Sequence, residues 1–594
     1  MHTTASYMSW HIKLRLTSVI LLLLVANAVA MAVDESPMWR RNSQGGPVAG
    51  EPVLRDPHIT EDTRIWVSEA DIPPGRRGSG DDGRNQDGLA DMERPLTGGY
   101  GSPIAAAGMI FQYHYRPSGT VYDTERARAL GLSQEELLTL RGMSEEERTE
   151  WHEARERSLR PETPTLDDLN RGHGTDADLD DLLGLEPDDA EEEPRVINVP
   201  PTGTLVRGHE RWLVSATDMI TAIDAETGRT VWQTDMTDKG LNFGFFGKGG
   251  GGLTPAYHDG MIVSFTSSAQ VFGLDAQTGD IRWSYDLVPR HAEHMIYRQA
   301  ALEGSSMAPR FNRGMLTALT VAEGLVIVND QRQYRVSVSG GVKSRYGLGD
   351  RDQDNNSYVA LDIHTGAVRW EAPEVGSGGS NPKLVTIDGK KYILGIRGDH
   401  LTLLDLQSGE QLWQSSLGHS SPTCAFNLGV SDQYVIMAAG GEGQDGRKLS
   451  GFALDLEGLH ELWTWGPIDE YRSNVLIVDE IAYMHVDEHL RAFSAATGET
   501  ISEVHIGDIR PAGGNPFIAY YGGWLFTRGR DVGPESEDGI FAMRADPAQM
   551  ADSKRFFAVD LAQPYYVLIF PAFANGAIYF RTDHSNRMEA YRLD

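Results

Sequence analysis

The side chains of this chain that could bind a metal ion or move a proton are few and scattered. Asp350, Asp352 and Asp354 stand at alternate positions in GDRDQDNNS, the spacing that opens a calcium loop. An EF-hand would continue with Gly at the sixth position and Glu at the twelfth, where this chain has Asn355 and Leu361. The trio is therefore a candidate for weak calcium binding in a turn. Asp176, Asp178 and Asp180 fail the same test, with Asp181 and Pro187 at those positions. His291 and His294 in RHAEH lack the Glu of an HExxH zinc helix. The GKGGGG stretch at 247–252 reverses the order of a phosphate loop and leads into a strand. Cys424 is the single cysteine, which excludes an intramolecular disulfide and a Cys-x-x-Cys-His haem site. These residues assemble no catalytic set.

The elements that would have to position such residues are repeats. Five segments read alike: AIDAETGRTVW (222–232), GLDAQTGDIRW (273–283), ALDIHTGAVRW (360–370), LLDLQSGEQLW (403–413) and ALDLEGLHELW (453–463). A sixth, AFSAATGETIS (492–502), keeps the Thr-Gly and loses the Trp. The Asp closes one strand, its carboxylate can accept N–H groups of the turn that follows, and the Gly takes a backbone conformation other residues avoid. The next strand starts at once, and side-chain alternation puts the Trp on a fixed face of it. Upstream of the phrases lie β-rich hairpins such as TPAYHDGMIVSFTSS (254–268) and PKLVTIDGKKYILGI (382–396). Each repeat is thus about four short antiparallel strands with no room for crossover helices, and units of that kind about 40–50 residues apart mark propeller blades.

The phrase Ala-x-Asp-x-x-Thr-Gly-x-x-x-Trp resembles the pyrroloquinoline-quinone (PQQ) repeat of quinoprotein dehydrogenases, which also builds a propeller scaffold that assists outer-membrane barrel assembly. The resemblance covers roughly residues 98–594. It implies that Trp232, Trp283, Trp370, Trp413 and Trp463 pack between neighbouring blades. For an enzyme of the family it implies PQQ held over an aromatic floor, in many members against a disulfide of adjacent cysteines, with a calcium ion and an Asp base at the quinone. The single cysteine removes that disulfide, so the chain resembles the assembly scaffolds more closely than the dehydrogenases.

The third motif position falls at Asp224, Asp275, Asp362, Asp405, Asp455 and Ser494, with weaker echoes at Arg544 and Arg592. That predicts an all-β propeller of eight blades with four antiparallel strands each, or seven if one echo is spurious. The chain stops at Asp594, after the third strand of the last blade, leaving a raw sheet edge. Arg64-Ile65-Trp66-Val67-Ser68 matches the outer-strand phrases around Trp283 and Trp370, so Trp66 is expected to close the ring from the N-terminal segment 31–97. Sequences of the type Gly-polar-Pro precede the blades: GYGSP (99–103), GGLTP (251–255), GGSNP (378–382), GHSSP (418–422) and GGNP (513–516). These are either plain blade-to-blade turns or a ligand rim around the axis, with Phe243, Phe245, Phe246, His419 and Tyr471 as rim candidates.

Two regions stand outside the ring. Lys13 and Arg15, an apolar run from Leu16 to Val25 and alanines at 26, 28, 30 and 32 describe a secretory signal over residues 1–30, cleaved after Ala30 or Ala32; an uncleaved anchor is the alternative. Without a cysteine after the signal the mature chain is not lipid-anchored. Residues 124–195 carry 22 acidic and 9 arginine residues, with capping boxes at Ser133/Glu136 and Ser144/Glu147. They read as an acidic insertion, helical and then poorly ordered. A formal charge of −32 repels nucleic acid and anionic lipid. The expectation is an exported monomer, periplasmic or extracellular, acting without cofactor as a binding or assembly scaffold for protein or polysaccharide. The competing expectation is a PQQ- and calcium-dependent dehydrogenase of alcohols or sugars.

Overall fold

Hairpins with Asp-Gly, Glu-Gly or Asn-Gly at the turn set the architecture. Asp259-Gly260, Glu323-Gly324, Asp388-Gly389 and Asn575-Gly576 all place two consecutive residues at positive φ, the two-residue turn whose twist suits antiparallel strands. The computed structural model describes residues 35–38, 42, 44–48, 50–72, 101–117, 204–206, 209–211, 213–243, 254–266, 270–286, 318–330, 357–373, 375, 381–397, 400–416, 428–439, 447–468, 474–486, 488–507, 517–530, 538–559, 561, 569–582 and 585–594. The signal segment 1–30, the insertion 124–195 and Asp350, Asp352 and Asp354 lie outside the described residues.

The described strands form eight four-stranded antiparallel sheets, one per blade of a propeller, and a separate two-stranded pairing of Thr204–Val206 with His209–Arg211. Blade two is representative: Ala256–His258 innermost, then Met261–Phe265, Gln270–Asp275 and the outer Ile281–Asp286. Blade one takes its inner strands from Ile104–Ala106 and Met109–Pro117 and its outer ones from Leu213–Asp224 and Thr230–Phe243. The segment expected as an insertion thus falls between its second and third strands.

Blade eight is composite. Ala572–Ala574, Ala577–Arg581 and Met588–Arg592 come from the C-terminus, and Arg64–Val67 supplies the outer strand. Arg64 pairs with Tyr591, Trp66 with Ala590 and Val67 with Glu589. The register skips one residue before Trp66, as it does before Trp232, Trp283, Trp370, Trp413 and Trp463. The N-terminal strand is therefore a true outer strand, and the ring closes through it.

The core lies between blades. One apolar cluster joins Ile104, Phe111 and Ile220 of blade one to Val263 and Leu274 of blade two and Val328 and Leu361 of blade three. Another joins Trp66, Tyr579 and Ala590 of blade eight to Ala105 and Ile223 of blade one. Each sheet buries both faces against its neighbours, so every blade depends on the next for its share of burial, at about 25 cal/mol per Å² of apolar surface. The first-to-second and third-to-fourth strand hairpins open on one face of the ring, the hairpin face. The ends that lead from second to third strand, and from one blade to the next, lie on the other, the connector face.

Candidate functional site

The motif carboxylates hold their own turns. Asp362 Oδ1 accepts from His364 N (3.1 Å), Thr365 N (2.9 Å) and Thr365 Oγ1 (2.9 Å), and Oδ2 accepts from Arg369 Nη2 at 2.8 Å. Asp275 repeats the scheme with Gln277 N, Thr278 N and Arg282, and the Arg282 hydrogen bond is the largest influence holding that carboxyl below its ordinary range. At Asp405 burial acts to raise the carboxyl, but Lys390 and Ser408 outweigh it and bring it down to about 2. These groups are ionised and fully engaged, which unfits them to act as bases.

The motif tryptophans reach across to the next blade. Trp232 Nε1 donates to Ala276 O (3.0 Å), Trp283 to Ile363 O (2.8 Å), Trp370 to Leu406 O (3.0 Å), Trp463 to Ala495 O (2.8 Å) and Trp66 to Ala225 O (2.9 Å). In each case the acceptor directly follows the motif's third residue, and the indole lies on the turn glycine of the same neighbour. A Cβ built on Gly228 would come within 2.8 Å of Trp66, and on Gly409 within 2.5 Å of Trp370.

Where the motif departs, the contact is replaced. The hairpin after Leu454 ends differently, with Leu454 paired to Leu459, and Trp413 donates to Asp455 O instead (3.0 Å) and is only half-buried. Blade six has Ser502 opposite Ala492, where the Trp would stand. There Tyr483 OH donates to Ala545 O, and burial pushes its phenol far up. At blade eight the equivalent carbonyl, Leu593 O, accepts from His58 N at 3.0 Å. Sequence reasoning missed both substitutes: Tyr483 lies inside a hairpin, and His58 acts through its backbone.

The channel side of the ring is lined in part by the chain's own N-terminal segment. Ser36 bridges to Ala105 of blade one, Pro37 O accepts from Tyr257 N of blade two (2.7 Å), and Gln44 Nε2 donates to Leu384 O of blade four (2.8 Å). Gln44 also donates to Asp432 Oδ1 in blade five (2.9 Å), and Gly46 lies against Ile477 O of blade six. Leu54 N then donates to Gly522 O of blade seven (3.0 Å). The described residues from Ser36 to Leu54 thus touch, in ring order, the inner strands or inner hairpins of blades one, two, four, five, six and seven, and so run along the channel side of the ring.

The Gly-polar-Pro residues that are described are committed to their neighbours. Ser102 Oγ accepts from Phe570 N (3.0 Å), Thr254 Oγ1 from Ser102 N (3.0 Å) and Asn381 Oδ1 from Ala318 N (2.5 Å). They latch one inner strand to the next. Phe243 ends an outer strand, where it pairs with Leu213; Phe245, Phe246, His419 and Tyr471 lie outside the described residues. Among the described residues no three His, Cys, Asp or Glu side chains group closely enough to hold a metal ion. No described helix is long and apolar enough to cross a membrane.

Residues 216–504, from the third strand of blade one to the outer strand of blade six, match the family described as outer membrane protein assembly factor BamB. The chain is similar to BamB of Yersinia pestis, 26% identical over 214 residues, covering 34% of this chain and 52% of that protein. It is also similar to a polyvinylalcohol dehydrogenase of Sphingopyxis sp., 24% identical over 400 residues, covering 54% and 57%. This chain thus spans about half the length of the curated relatives it matches. The solved structure of BamB from Moraxella catarrhalis aligns at 17% identity with a TM-score of 0.38, over 63% of this chain and 91% of that one.

Proposed function

We propose that this chain, a β-propeller whose repeats are of the PQQ type, is an exported, monomeric, non-catalytic scaffold that binds protein partners during outer-membrane assembly. The observation that carries this is on the channel side of the ring: the inner strands or inner hairpins of blades eight, one, two, four, five and six, which face the place where a propeller usually receives a small ligand, are engaged by residues 35–38 and 44–46 of the same chain. The repeated Asp residues are committed to their own turns, and the repeated Gly and Trp residues to joining blades. The BamB relatives point to protein as the partner.

The dehydrogenase alternative has a direct test. Purified protein incubated with PQQ and calcium, then offered a panel of alcohols and aldoses with a redox dye, is expected to show no turnover. Saturable oxidation faster than about 1 s⁻¹, the low end of ordinary enzymes, overturns the scaffold reading. Deleting the gene in its own cell is expected to lower the amount of folded outer-membrane barrel protein, seen by heat-modifiable gel mobility. Unchanged barrel levels would remove the assembly role.

A further inference from the structure

Residues 35–38 are held as a receptor holds an extended peptide. Ser36 exchanges both backbone hydrogen bonds with Ala105, 2.8 Å from Ser36 N to Ala105 O and 3.0 Å in the other direction. Its hydroxyl donates to Phe573 O at 2.6 Å and accepts from Phe573 N at 3.0 Å, so one side chain engages both backbone groups of blade eight's inner strand. Glu35 Oε1 accepts from Ala107 N (2.6 Å), and Pro37 O accepts from Tyr257 N (2.7 Å). Met38 is buried with the core of the first blades. The inner strand of a blade is an edge strand whose channel side its own sheet leaves unpaired, which makes it a template for another extended chain.

We propose that the channel wall formed by blades eight, one and two is a binding site for an extended peptide, and that residues 35–38 are its resident ligand, bound in cis. The chemistry it reads is a backbone in the extended conformation, a small hydroxyl side chain at the second position and an apolar one at the fourth. Proline at the third position fits because only its carbonyl is engaged and the missing N–H costs nothing there. Residues 44–59 tether the ligand by their contacts to blades four to eight, and the tether raises its effective concentration at the site. The site is defined by geometry inside the ring and stands whether or not the scaffold function holds.

The experiment uses the whole chain with a specific protease sequence inserted between Gly50 and Glu51. The folded protein is cut and then incubated with excess fluorescent peptide of residues 33–50, and uptake is followed by anisotropy. The cut ring is expected to keep its β-type circular dichroism and take up the peptide saturably. A peptide carrying Ser36→Ala and Met38→Asp should bind at least about tenfold more weakly, as loss of a buried hydroxyl contact and an apolar anchor requires. Three results would overturn the proposal: no uptake by a cut ring that stays folded, equal uptake of the altered peptide, or collapse of the ring on cutting. The last would make residues 35–38 core rather than ligand.

Discussion

A methyl group on Gly366 would lie 2.5 Å from Trp283 Cε3, in a residue whose φ is +69°. Gly324, at φ +78°, has open space around the same position. Alanine at Gly324 therefore meets only the left-handed backbone, about 1–2 kcal/mol, whereas alanine at Gly366 also displaces the indole, a further cost of about 1–3 kcal/mol. Urea unfolding of the two variants should separate them by that second amount, and equal losses would show that the Trp contact carries little energy. Asp405 offers a pH test at the same scale. Its carboxyl sits at about 2 in the folded protein against 3.8 ordinarily, so its contribution is present above pH 3.8 and lost as pH falls through about 2. Asp405→Asn keeps an oxygen for Gln407 N and Ser408 N but loses the charge facing Lys390. The variant should be less stable at neutral pH, and its urea midpoint should change less between pH 4 and pH 2 than that of the parent chain.

Closure belongs to the scale of the element. The strand Arg64–Val67 makes only a short pairing with Met588–Arg592, and most of its hold comes from Trp66, which donates to Ala225 O, lies on Gly228 and stacks obliquely on Tyr579 at 5.8 Å. Trp66→Ala removes a buried aromatic from the junction of blades eight and one, and the expected loss is about 3–5 kcal/mol. Amide exchange along 588–592 should rise with it. Trp413, half-buried, is the control and should cost less when truncated. The match of Arg64–Ser68 to other outer strands was legible because an outer strand carries its Trp in a fixed register. The course of residues 35–38 and 44–46 along the channel side of the ring was not. It is made mostly by backbone groups, Ser36 and Gln44, and no periodicity or residue type announces a segment that contacts six different blades. The substitute contacts of Tyr483 and His58 were hidden for a related reason: a missing Trp says that a contact is gone and not what replaces it.

At the scale of the whole molecule the ring tolerates interruption only where its sheets end. The second and third strands of blade one stay in register from Met109↔Asp224 to Pro117↔Ala216, with no shift along the way. Whatever the residues from 118 onward do, they leave from the connector-face end of a completed strand pair. The eight sheets are each complete without residues 124–195, and none of their strands is drawn from that segment. Its composition, acidic and poor in aliphatic side chains, gives it little to add to a packed core. Replacing residues 124–195 with a short glycine-serine linker is therefore expected to leave a folded propeller. Loop-closure entropy changes only slowly with length, so shortening this connection moves stability by about 1 kcal/mol, or a few degrees in Tm. The measurement is thermal unfolding of the deletion variant beside the full chain. A variant that failed to fold, or that melted more than ten degrees lower, would mean that the segment reaches back into blade one and that the ring is not self-sufficient.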